Sequence, residues 1–206
     1  ALASLFVDCG AADKTVAVTS SHFCSAERQF RFPLEYGGQR TPTSQRTVTA
    51  SGAFVISHKP RAAQVSEVLF GTVRDGGIKD INNMGAAMAP AAIDTLSTYF
   101  EKSSTKPSDF DLIVTGDLGY EGYSIVKELM AKRGMKLGDN YNDCGLMLYD
   151  REIQQVESGA SGCGCSASVL SGHILPKLRD GVLKSVLALS TGALMSPTSV
   201  QQGETI

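Results

Sequence analysis

Charge is scarce in this chain. Only 19% of its residues are charged, and 19 lysines and arginines nearly balance 21 aspartates and glutamates. The net charge is −2, and the nearest thing to a basic cluster is Arg28 with Arg31. With no basic footprint, a phosphate-backbone partner such as nucleic acid is excluded. No run reaches the roughly 18 apolar residues that a membrane span needs. The apolar start, Ala1 to Val7, lacks a basic leader, and Asp8 stands before Cys9, so neither a signal peptide nor a lipoprotein cleavage site is read. The 5 cysteines are an odd number at spacings that fit no disulfide framework, which points to a reducing compartment. Cys163 and Cys165 are too close for a zinc knuckle, and His22, His58 and His173 show no ligand spacing, so no metal site is expected. Gly116-Asp117-Leu118-Gly119 and Gly162-x-Gly164 lack the spacing of a dinucleotide fingerprint or a P-loop.

What is present suits one globular domain. The chain is 206 residues long and 42% hydrophobic, enough for a large core. Residues 1–10 read as the end of an amphipathic helix stopped by Gly10, and Lys14 to Thr19 as a short buried strand. A polar loop covers Ser20 to Gln45. Strands are expected at Thr47–Ser57, Val65–Val73, Asp111–Thr115 and Ser185–Leu189. Helices are expected at Pro90–Phe100, with Pro90 in the first turn, and at Tyr123–Arg133, ended by Gly134. Asn142-Asp143-Cys144-Gly145 reads as a turn, and His58-Lys59-Pro60 as the best boundary. Alternating strands and helices argue an α/β layered fold.

The most informative run is Ser161-Gly162-Cys163-Gly164-Cys165-Ser166-Ala167-Ser168, in which no side chain is larger than a thiol. It opens an apolar helical segment, Val169 to Leu178. First-turn N–H groups have no partner inside a helix and carry the positive end of its dipole, so a carboxylate or oxyanion is their natural ligand. An internal echo adds to this. Lys14-Thr15-Val16-Ala17-Val18-Thr19-Ser20-Ser21 resembles Lys184-Ser185-Val186-Leu187-Ala188-Leu189-Ser190-Thr191. The echo suggests two related halves. On this reading residues 1–58 end a first half and 59–206 form a second, the chain being cut at both ends, without most of its first half or its last strand.

A duplicated α/β fold with a small-residue helix start facing a strand-end loop is similar to the thiolase fold of thiolases and β-ketoacyl-ACP synthase III. Longer motifs resemble the stage V sporulation protein AD family: Ser20-Ser21-His22, Ala26-Glu27-Arg28-Gln29-Phe30-Arg31, Glu35-Tyr36-Gly37-Gly38-Gln39 and Thr49-Ala50-Ser51-Gly52-Ala53. Further along come the run Asn83 to Ala92, Thr115-Gly116-Asp117-Leu118, Asn142 to Met147, Gly162 to Ser166, Thr191 to Leu194, Ser196-Pro197 and Gln201-Gln202. The resemblance covers essentially the whole chain. It implies a thiolase-like βαβαβ fold and a non-catalytic protein that binds dipicolinate (pyridine-2,6-dicarboxylate) for uptake into the developing spore and release in germination. It further implies membrane-embedded partners of a spore channel complex, and a homodimer joined through the strand equivalent to Thr47–Ser57. The expected location is cytoplasmic or peripheral on the inner spore membrane, with no cofactor and with calcium as a companion of the ligand.

The alternative is an acyl-CoA- or ACP-dependent acyltransferase or condensing enzyme. Ketoacyl synthases place a histidine at the end of the second half's central strand and an asparagine at a later helix start, to stabilise an oxyanion. Here those positions fall at Gly116 or Asp117 and at Cys163, and Thr191-Gly192-Ala193-Leu194 offers no second cysteine. No catalytic residue is therefore assigned. The candidate ligand-binding residues are Cys163, Gly164, Asp117, Gly116, Arg28 and His22. Asp117 reads either as a cap of the helix beginning near Gly119 or as a pocket residue, although its charge would repel a dicarboxylate. Arg28 and Arg31 offer fork-shaped donors, or pair with Glu27 and Glu35 in a surface loop. Cys163 and Cys165 are small enough for tight packing in their own right. His22 reads as a structural hydrogen-bonder, and His173 as boundary packing.

Overall fold

A computed structural model describes residues 1–25, 40–59, 61–193 and 197–205. Its centre is β4, Leu112–Thr115, flanked by two parallel strands, β5 (Tyr141–Asp143) and β7 (Val186–Leu189), in the order β5-β4-β7. Successive side chains of a strand point to opposite faces, and a parallel strand is covered on both. Ile113 accordingly packs with Met88, Ala92, Leu96, Val126 and Met130, while Val114 packs with Cys144, Cys165, Val169 and Ile174. Each large apolar side chain so buried contributes about 1.5–3 kcal/mol.

The first of these faces is built by two helices, α2 (Met84–Lys102) and α3 (Gly119–Lys132). They cross where Gly85 meets Gly122: a Cβ at Gly85 would land on the Leu118 carbonyl, and one at Gly122 would come within 2.7 Å of the Gly85 carbonyl oxygen. The second face carries α4 (Cys144–Leu148) and α6 (Cys163–Val169), with the short α5 (Arg151–Gln154) between them in sequence. From α6 the helix continues through a π-helical turn, Leu170–Ile174, into α7 (Leu175–Arg179).

The remaining strands form two small sheets. β1 (Lys14–Ser21) pairs antiparallel with β3 (Ala50–Ser57), Lys14 opposite Ser57 and Ser21 opposite Ala50. β2 (Arg46–Thr47) pairs parallel with β6 (Ala160–Ser161). Helix α1 (Leu2–Asp8) lies beside β1, and Thr15 Oγ1 donates to the Ala3 carbonyl at 2.9 Å. α6 lies on the inner face of the β1–β3 pair, so close that a Cβ on Gly52 would sit 2.7 Å from the Ala167 carbonyl oxygen. A last helix, α8, spans Pro197–Gln201.

Several expectations from sequence need correction. Lys14–Thr19 is a strand but not a buried one: its residues alternate between exposed and half-buried, because only one face is covered among the described residues. Thr47–Ser57 is split into β2 and β3, which serve different sheets. Val65–Val73 forms no strand, with Val65, Val68, Phe70 and Val73 exposed. Instead it runs back along α2. Tyr99 donates to Glu67 at 2.7 Å, Thr72 and Arg74 both donate to Asp94 at 3.0 Å, and Gly76 abuts Pro90. Pro90 stands inside α2, not in its first turn, since Asn83 caps the helix farther back through Oδ1, which accepts the Ala86 N–H at 3.0 Å. α3 begins at Gly119, before Tyr123, and the expected turn at 142–145 is the end of β5 running into α4. His173 is exposed.

Candidate functional site

The carboxyl ends of β4 and β1 meet the start of α6, the kind of place where α/β folds put their sites. Gly162, the residue before the helix, takes φ of 101°, a conformation glycine adopts without penalty. Its N–H donates to Asp117 Oδ2 at 2.8 Å, and Ser161 Oγ donates to the same oxygen at 3.2 Å. The Gly164 N–H donates to Ser21 Oγ at 2.9 Å, and that hydroxyl donates to the Val48 carbonyl at 2.6 Å. A Cβ on Gly164 would fall on the Ala50 carbonyl, so glycine is required for this approach. The Cys165 N–H reaches the Gly162 carbonyl at 2.8 Å. Gly162, Gly164 and Cys165 thus already spend their N–H groups on the protein itself.

Of the residues singled out from sequence, the structure brings together Gly116, Asp117, Cys163 and Gly164. Gly116 is buried against Leu189, Ser190 and Ser166. Asp117 is half-buried and does not cap the helix at Gly119; its carboxylate seats α6, and its carbonyl accepts from Gln45 Nε2 at 2.7 Å. Cys163 is exposed, and its thiol donates to the Ser20 carbonyl at 3.0 Å. His22 is exposed and follows Ser21, the residue that holds Gly164. Arg28 and Arg31, with Glu27 and Glu35, lie outside the described residues.

The central polar group is one the sequence reading passed over. Asp143 is fully buried and caps two helices at once. Its Oδ2 accepts from Thr115 Oγ1 at 2.7 Å and from the Leu118 N–H at 2.9 Å. Its Oδ1 accepts from the N–H groups of Gly119 at 3.0 Å and Gly145 at 2.9 Å. Burial, with Asp117 nearby, pushes this carboxyl up to about 6, against the pull of the Thr115, Leu118 and Gly119 bonds. It is therefore mostly ionised at neutral pH, which suits a group that meets four donors. The available signal was an aspartate directly before a short helical stretch, an N-cap pattern.

Around this carboxylate the thiols are inert. Burial pushes Cys144 and Cys165 far above the ordinary thiol range, and the Asp117 and Asp143 charges add to it. The Tyr141 phenol is raised by burial too, and its ring stacks on Tyr123 at 4.8 Å. A shallow depression lined by Arg151, Glu152, Gln155 and Glu157 shares none of these residues.

A mixed α/β protein with a strand-end site around a small-residue helix start is the class that fold and geometry define. The whole chain, residues 1–206, matches the sequence profile of the family described as stage V sporulation protein AD. It is 50% identical over 206 residues to the stage V sporulation protein AD of Bacillus subtilis (strain 168), an alignment that covers all of this chain and 61% of that protein. The chain belongs to the stage V sporulation protein AD family. It spans about three fifths of the length of that curated relative. Among the described residues, no helix is long and apolar enough to cross a membrane.

Proposed function

We propose that this chain is part of a non-catalytic, thiolase-like protein that binds dipicolinate for its movement into the developing spore and out again in germination. The observation that carries the reading is the family match along the entire chain. Two features of the site support a binding role over an acyl-transfer one. The strand-end carboxylate of Asp117 is committed to Gly162 and Ser161, and the thiols of Cys144 and Cys165 are held protonated by burial. A thiolase-like architecture is supported by the parallel sheet around β4 and by the echo between β1 and β7, each of which follows a helix. In this reading residues 1–58 close the first half and 59–206 belong to the second.

In this reading the ligand's carboxylates are received around the start of α6, beside Cys163 and His22, with Arg28 as a further donor and calcium as a companion cation. The proposal includes homodimerisation and peripheral attachment to membrane-embedded partners. Calorimetric titration of dipicolinate into the intact protein, with and without calcium, tests it, with isophthalate as the control lacking the ring nitrogen. Saturable heat with dipicolinate alone supports a specific binder; no heat under either condition overturns the reading. A second reading, acyl transfer, rests on the exposed thiol of Cys163. An acyl adduct on the Cys163 peptide after incubation with acyl-CoA would favour it.

A further inference from the structure

We propose that Asp143 is the positioning residue of this site: its single carboxylate fixes the turn that carries Asp117, and through Asp117 it sets where the start of α6 and Cys163 stand. The geometry is a relay of short bonds. Asp143 takes the end of β4 through Thr115, the start of α3 through Leu118 and Gly119, and the start of α4 through Gly145. Asp117 lies between Thr115 and Leu118, so its backbone is pinned on both sides by the same carboxylate. From there Asp117 reaches Gly162 and Ser161. The far end of the relay is visible in one solvent-facing group, Cys163, whose thiol bonds the Ser20 carbonyl at 3.0 Å. Bonds to an ionised, buried acceptor are stronger than neutral ones and hold narrow geometries. The role of the site as a dipicolinate pocket rests on the reading above; the positioning of α6 does not.

Alkylation of the full protein by iodoacetamide, resolved by peptide mass spectrometry, tests this. In Asp143→Asn the Cys163 rate is expected to rise about fivefold, the equivalent of one ordinary hydrogen bond lost. The exposed Cys9 and Cys24 should keep their rates, and the buried Cys144 and Cys165 should stay unlabelled. Asp117→Asn should do the same, and the double variant should add little to either single one, because both act on one relay. A purely structural role for Asp143 would instead label Cys144 and Cys165 along with Cys163. A folded Asp143→Asn whose Cys163 rate stays within about twofold of the parent overturns the proposal. Should that variant fail to fold, Thr115→Val, which removes one donor to Asp143, decides: a selective rise at Cys163 supports the relay, and an unchanged rate overturns it. Dipicolinate titration of the same variants separates the two readings. Parent protein without heat overturns the pocket reading alone, while a parent that binds and an Asp143→Asn that binds at least about fivefold more weakly support both.

Discussion

The two sheets that hold the site use the same kind of residue to opposite ends. In β4, Ile113, Val114 and Thr115 are 0%, 1% and 0% exposed. In the β1–β3 pair, Val16, Val18 and Val55 are 62%, 68% and 72% exposed. β-branched chemistry does not decide burial; the layers on each face do. β4 is sandwiched between α2 and α3 on one side and α4 and α6 on the other, whereas among the described residues β1 and β3 are covered on one face only. α6 touches both sheets, so the site sits on the seam between a closed core and an open pair of strands. The groups that hold it, Asp143 and Asp117, come from the closed side.

The largest expected effect follows from this asymmetry. Asp143→Ala removes the acceptor of four donors and leaves their N–H and O–H groups unpaired in the core. Breaking such a buried charge arrangement costs about 3–5 kcal/mol. Urea unfolding checks it, and a loss below about 1 kcal/mol would mean that water or a neighbour replaces the carboxylate. Val114→Thr comes next. It keeps the branched shape but buries a hydroxyl on the Cys165 side of β4, for an expected cost of about 1–3 kcal/mol.

Legibility in the sequence follows the same division. The run Asp111–Thr115 announced β4 because a fully buried parallel strand is a continuous apolar stretch, and the small-residue run announced the tight seat of α6, down to Gly164 on Ala50. Val65–Val73 has the same strand-like composition, but a strand needs a paired neighbour, and here the segment finds α2. Pro90 looked like a first-turn proline because the N-cap signal of Asn83, seven residues earlier, was passed over. Asp143 was the costliest omission. One cap on one helix can be read locally, but Thr115, Leu118 and Gly119 come to it from elements more than twenty residues away, and only the fold puts them there.

A smaller effect is a pH slope. The Asp143 carboxyl is held at about 6 when folded, against an ordinary 3.8. The folded state therefore keeps a proton that the unfolded chain has released between those values. The stabilisation this brings is full below the lower value, declines as pH rises through the upper one, and is flat beyond. A single proton gives a slope of at most about 1.4 kcal/mol per pH unit. Urea midpoints of the parent and Asp143→Asn across pH 4–7 check the sign: the parent's margin over the variant should shrink as pH rises. A margin that grows instead would mean that the donors outweigh burial and hold the carboxyl below its ordinary value.

The smallest effect is expected on the open face, where Val18→Thr is the matched partner of Val114→Thr. Threonine retains the branched Cβ that a strand favours, and Val18 already meets water, so the added hydroxyl loses no solvation. Substitutions of that kind stay within about 0.5 kcal/mol. In a chain of these boundaries, the urea midpoint of Val18→Thr should therefore match the parent's, while that of Val114→Thr falls clearly below it. A cost at Val18 approaching that at Val114 would show that something covers the Val16–Val18–Val55 face in solution. The contrast between a closed core and an open strand pair would then fail in solution, and the seam that holds α6 would be buried on both sides.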